Sequence, residues 1–214
     1  LRSGCPAHRA VHSRSGARAQ WLSECIEEVR AHLGLVFHRI LERSAIEVSV
    51  DEFDLDIGEA GAMRRVRVLD PLARGVTGVR PIPLDGAVNG RPFELTGVVL
   101  TERALQDPAI LASARGSAAA NGQGLYIYRR DRLLQIGGWD SIIREGRDWE
   151  YLRISLDIDD ALLDVVQVNP EKSGVVLDAD MRRAVHSAVD GDGRSFADLL
   201  DRARSAASEA RRRT

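Results

Sequence analysis

The sequence predicts an α+β fold, a mixed β-sheet with helices on one face followed by C-terminal helices, and three observations predict it. Apolar residues between positions 21 and 41 recur at three- and four-residue intervals, the stripe of one helix. Residues 125–128 and 133–136 are short apolar runs flanking Arg130-Asp131, and 151–158 alternates in period two, which is strand patterning. Strands and helices interleave without a Gly-x-Gly-x-x-Gly turn or the regular repeat of a doubly wound sheet.

In chain order, residues 1–20 mix Arg, Ser, Gly, His and Ala without an apolar period, the composition of a tail that cannot offset its own ordering entropy. The helix over 21–41 carries Leu22, Ile26, Val29, Leu33 and Val36 on its stripe. Ile46, Val48 and Val50 then alternate with polar residues, and after a shift near Asp51-Glu52 so do Phe53, Leu55 and Ile57; both read as strand. A short strand over 64–68 ends at Asp70-Pro71, where the missing proline N–H stops the ladder. The proline- and glycine-rich residues 72–92 read as a long ordered loop or inserted lobe.

A strand is expected over 93–100, then a short helix capped by Thr101 and interrupted at Pro108. Gly124 and Gly137-Gly138 bound the hairpin, and Leu152, Ile154, Leu156 and Ile158 give the next strand a half-buried pattern. A short helix covers 161–166 and closes at Asn169-Pro170, which leaves Lys172 in a loop. Two helices finish the chain, over 180–189 and 195–211, the second opened by Ser195 with Asp198 three residues on, a variant of the capping box.

The totals narrow function. Thirty basic against thirty-two acidic residues leave a formal charge of -2, so no whole-molecule field favours nucleic acid or an anionic membrane. No stretch approaches the ~20 consecutive apolar residues of a membrane span, and no signal-peptide core is evident at the N-terminus, so the expectation is cytoplasmic with no membrane partner. Cys5 and Cys25 cannot alone supply a four-ligand zinc site and read as free thiols. Asp54 with Asp56, and Asp157 with Asp159, share strand faces, yet neither pair has a third ligand nearby, so solvated faces are expected rather than a metal. His32 and His38 lie ~600° apart around a helix and belong to no nucleophile motif, so no catalytic residue is assigned. The flexible run 116–124 lacks the Gly-Lys-Ser/Thr ending of a phosphate-binding loop.

Two features remain. Arg129, Arg130 and Arg132 cluster at the hairpin turn between two tyrosines and Trp139, so Arg129, Arg132 and Trp139 define a candidate interaction surface. Of the thirty basic residues a single one, Lys172, is lysine, set between Asn169-Pro170-Glu171 and Ser173-Gly174. A compact ammonium on a flexible stem suits a terminal phosphate, since a point charge can follow a changing ligand.

Four ordered segments also resemble a known family. Residues 32–41, followed by Ile46-Glu47-Val48-Ser49-Val50 and Leu69-Asp70-Pro71, resemble the junction between the ATPase and transducer domains of MORC-like GHKL proteins. Residues 124–134 with Gly137-Gly138-Trp139 resemble that family's Tyr-Arg hairpin, and Arg153-Ile154-Ser155-Leu156-Asp157 and Asn169-Pro170-Glu171-Lys172-Ser173 its last strand and lysine loop. The resemblance covers roughly residues 30–190 and implies the ribosomal-protein-like transducer fold shared with gyrase B and MutL, an ATP-driven dimer clamp, and a Lys172 contact to the ATP γ-phosphate. It divides the chain into a tail at 1–20, a linking helix at 21–45, a transducer domain at 46–178 and C-terminal helices at 179–214.

The family's catalytic Glu, magnesium-binding Asn, Asp-x-Gly-x-Gly motif and glycine-rich lid do not occur in this chain. With the first methionine at Met63, the expectation is a transducer fragment without turnover of its own. It would meet ATP and Mg only through a GHKL ATP-binding domain in cis or trans, with a homodimer and DNA as further partners the family allows. The alternative is a stand-alone DNA- or protein-binding module using the Arg-rich hairpin and the C-terminal helix with its Arg211-Arg212-Arg213 end.

Overall fold

The computed structural model describes residues 7–44, 46–117, 119–169 and 174–213. In order these form α1 (Ala7–Val36), α2 (His38–Arg43), β1 (Ser49–Val50), β2 (Phe53–Asp54), β3 (Glu59–Ala60), β4 (Arg64–Arg65), β5 (Pro81–Val88), β6 (Arg91–Val99) and α3 (Pro108–Arg115). Then come β7 (Gly124–Arg129), β8 (Arg132–Ile136), β9 (Leu152–Asp157), β10 (Val166–Asn169), β11 (Gly174–Leu177), α4 (Ala179–His186) and α5 (Phe196–Arg213). The class is α+β: a mixed five-stranded sheet ordered β5-β6-β9-β7-β8, in which only β7 and β9 run parallel.

Alternation along the strands sends side chains to two cores, so helices cover both faces and not one. Leu95, Leu125, Ile127, Ile154 and Leu156 pack with Met181 and Val185 of α4 and Phe196 and Leu199 of α5. Val98, Tyr126, Tyr128 and Leu133 pack on the opposite face with Leu35 of α1 and Ile110 next to it on α3. Helix α5 comes so close to β6 that a Cβ on Gly97 would lie 2.2 Å from a Leu199 methyl.

Several expectations change against this frame. Helix α1 begins at Ala7, so residues 7–20, read as an unpatterned tail, continue it as helical backbone, with 16–20 exposed. The helix read over 21–41 is two helices, because the Gly34 carbonyl accepts from Leu69 N at 3.1 Å and Phe37 leaves helical geometry at φ -109°, ψ 16°. The strands expected at 46–57 shrink to short ladders of one projecting arm, β1 with β4 and β2 with β3, and Phe53, Leu55 and Ile57 are exposed. The β1–β4 ladder rests on α1, where Arg30 Nε donates to the Arg65 carbonyl at 3.0 Å and Arg64 donates to Ser23 Oγ at 3.0 Å, whereas the β2–β3 tip is exposed.

Residues 72–92 are not a loop or lobe throughout. They include β5, an edge strand, where Pro81 and Pro83 are tolerated because one side of an edge needs no ladder. Its turn is Asn89-Gly90, both at positive φ. Pro108 starts α3 instead of breaking a helix: Asp107 caps it and the missing proline N–H falls in the first turn. The strand at 152–157 is buried on both faces, since β9 is the central strand, and in place of the helix expected over 161–166 there is a 3₁₀ turn at Asp160–Leu162 followed by β10 from Val166. The Ser195/Asp198 capping box forms, with Asp198 accepting from Ser195 N at 2.7 Å.

Candidate functional site at the arginine end of the sheet

The β7–β8 hairpin turns through Arg130 and Asp131, both left-handed at φ 50° and 62°, a two-residue turn that matches strand twist. That turn brings Arg129 opposite Arg132 at one end of the sheet, where β9 also ends at Asp157. Helix α2 lies against the same end. Arg39 places its guanidinium 3.5 Å from the centre of the Tyr128 ring and bonds Asp157 Oδ1 at 2.5 Å, while Arg43 bonds Asp131 at 2.7 Å. Arg132 stands 5.8 Å from the Phe37 ring, at the break between α1 and α2.

Beneath this layer the polar groups are dry. His38 is fully buried; its Nδ1 meets the Leu35 carbonyl at 2.8 Å and its Nε2 stands 3.7 Å from Asp70. Burial lowers its pKa, opposed by the Leu35 contact and by Asp70. Burial likewise pushes the Tyr128 phenol well up, and its hydroxyl has no hydrogen-bond partner among the described residues. Asp70 also fixes its own loop, accepting from Leu72 N, Arg74 N and Arg74 Nε. Burial alone would depress the Arg74 guanidinium, yet Asp70 holds it above its ordinary value. The result is a charged, closely packed joint between the helices and the sheet end.

The predicted surface divides. Arg129 bonds Asp160 at 2.7 Å and Arg130 bonds the other oxygen of that carboxylate at 3.1 Å, which holds the Asp160 carboxyl below its usual range. Arg132 is exposed and makes no ion pair with any described residue. Trp139 does not belong to a surface: it is 4% exposed and its indole N–H donates to Gln123 Oε1 at 3.0 Å. The apolar side of the hairpin drew it inward. Among the described residues no three of His, Cys, Asp and Glu assemble; Asp54 accepts from Asp56 N, Asp157 pairs with Arg39, and Asp159 caps Ala161. Cys25 is a free thiol, and no described helix is long and apolar enough to cross a membrane.

Lys172 and Cys5 lie outside the described residues. The flanking strands locate the connection's ends: β10 and β11 pair antiparallel, with Asn169 opposite Gly174. Sequence reasoning missed both strands, because Val166-Gln167-Val168 and Val175-Val176-Leu177 are too short to separate from a helix end. Strand β11 runs along β8 in the same sense, Val175 beside Gln135 and Leu177 beside Asp140. Going back along both chains therefore leads from Gly174 toward Arg132, so the 169/174 end of this hairpin lies at the arginine end of the sheet. Comparison of the chain with protein-family models, with curated proteins and with solved structures gives no match.

Proposed function

We propose that this chain is the transducer half of a GHKL-type ATP-binding protein, relaying nucleotide state through Lys172. One observation carries the reading: the end of the hairpin flanking residues 170–173, Arg132, which has no ion-pair partner among the described residues, and the α1–α2 joint all converge on one end of the sheet. A cation delivered there can meet a phosphate held by a neighbouring domain, and a shift of that cation is felt by helices that Arg39 and Arg43 tie to the same strands. Exposed Trp21 and Val29 on α1, with Phe53, Leu55 and Ile57 on the arm, supply apolar surface of the kind a partner domain covers. The DNA-binding alternative is weaker, because Arg129 and Arg130 share the Asp160 carboxylate, which offsets one of their two charges and occupies both side chains.

The chain alone is expected to turn over no ATP. Combined with a GHKL ATP-binding domain, it should support hydrolysis that Lys172→Ala lowers by about 100-fold or more, the scale of losing one preorganised charge contact. Lys172→Arg should recover little, given the different shape of the guanidinium. Hydrolysis by the isolated chain, or an unchanged rate for Lys172→Ala in the pair, overturns the proposal.

A further inference from the structure

The β10–β11 hairpin is not an extension of the main sheet, although β11 lies along the edge strand β8. An antiparallel pair uses only alternate N–H groups of each strand, and the others point outward. In β11 the outward groups are those of Val175 and Leu177, two residues apart and both buried, so each needs an acceptor. Side chains answer them. Val175 N donates to Gln135 Oε1 at 3.1 Å, and Leu177 N donates to Asp140 Oδ2.

Both acceptors are themselves fixed. Gln135, on β8 and 9% exposed, donates its amide to the Gly137 carbonyl at 3.1 Å, which sets which way the amide points. Asp140 sits at φ 42° and Ser141 at φ 63°, left-handed geometry that a non-glycine residue adopts only when its surroundings hold it there. At the base of the hairpin Asp178 N donates to the Val165 carbonyl at 3.0 Å. Hydrophobic packing of Val175 and Leu177 pulls β11 inward but is non-directional, whereas the two acceptors fix where along β8 it rests.

We propose that Gln135 and Asp140 are positioning residues that set the register of β11 against β8, and so fix the Asn169/Gly174 end of the hairpin, between whose strands Lys172 lies in the sequence. The functional half of this statement rests on the transducer reading above; the structural half does not. A side-chain clip differs from a shared ladder in that it can be released without unzipping the sheet.

The test uses the full chain carrying Gln135→Met and Asp140→Gly, the second replacing a residue already at positive φ with one that tolerates it. Amide hydrogen exchange should quicken at Val175 and Leu177 by about tenfold or more while β7 and β9 stay protected. In the pair with the ATP-binding domain, turnover should fall with KM for ATP little changed. Asp140→Asn, which keeps an acceptor oxygen and accepts positive φ, should restore most of it when Gln135 is intact, and the double variant should add nothing to Lys172→Ala. Unchanged exchange at β11 overturns the inference outright. Faster exchange with full turnover, where Lys172→Ala lowers turnover, overturns the positioning role and leaves the transducer reading standing. If Lys172→Ala also leaves turnover intact, the reading falls and the role with it.

Discussion

At the scale of residues, Arg39 holds the joint more by stacking than by pairing. Its guanidinium is buried over Tyr128, whereas its partner Asp157 is more than half exposed, so water screens the ion pair. A desolvated cation over an aromatic face is worth about 2 kcal/mol and an exposed pair about 0.5. Arg39→Met should therefore cost about 2 kcal/mol in urea unfolding and Asp157→Asn far less; the reverse order contradicts this account. His38 adds a pH dependence. Burial lowers its folded pKa below the ordinary 6.5, so the unfolded chain binds the proton more readily. Stability should fall as pH drops through 6.5 toward the folded value, and His38→Gln should flatten that part of the profile. The sequence distinguished Lys172 by its isolation among arginines, yet it could not tell Trp139 from a surface residue, because burial on a two-sided sheet follows from which strands flank it.

At the scale of elements, short-range chemistry was legible where turn and cap residues act alone. The Arg130-Asp131 hairpin and the Ser195/Asp198 box formed as their residues require, while Asn89-Gly90, a strong hairpin signal, was hidden by the prolines around it. What the sequence did not reveal was strand order, which is set by contacts far apart in the chain. Placing β9 between β6 and β7 is what turns an alternating run into a strand buried on both faces. The same placing lets α5 cross β6 at Gly97. Gly97→Val should destabilise by about 1–3 kcal/mol with an unchanged denaturant slope, and Leu199→Ala in the same chain should cost less than the sum of the two single changes. Simple additivity would place Leu199 elsewhere.

At the scale of the whole molecule, apolar surface is distributed unevenly. The arm exposes Leu55 at 88% and Ile57 at 67%, although their alternation suggests a half-buried strand. Among the described residues nothing covers the tip of the arm at Leu55 and Ile57, so Leu55→Ser with Ile57→Ser should shift unfolding by no more than about 0.5 kcal/mol while lowering the binding of an apolar dye to the folded protein. A larger loss of stability would mean that the arm packs. The carboxylate-paired arginines at the sheet end and the solvent-facing arm are the features on which the transducer proposal draws.

The most direct measurement of that claim is the affinity of the chain for the GHKL ATP-binding domain with a non-hydrolysable ATP analogue, with ADP, and without nucleotide. Coupling of about 1–3 kcal/mol predicts binding about 5- to 150-fold tighter with the ATP analogue than with ADP, and loss of that difference in Lys172→Ala. Equal affinity in all three states, or a difference that survives Lys172→Ala, contradicts it.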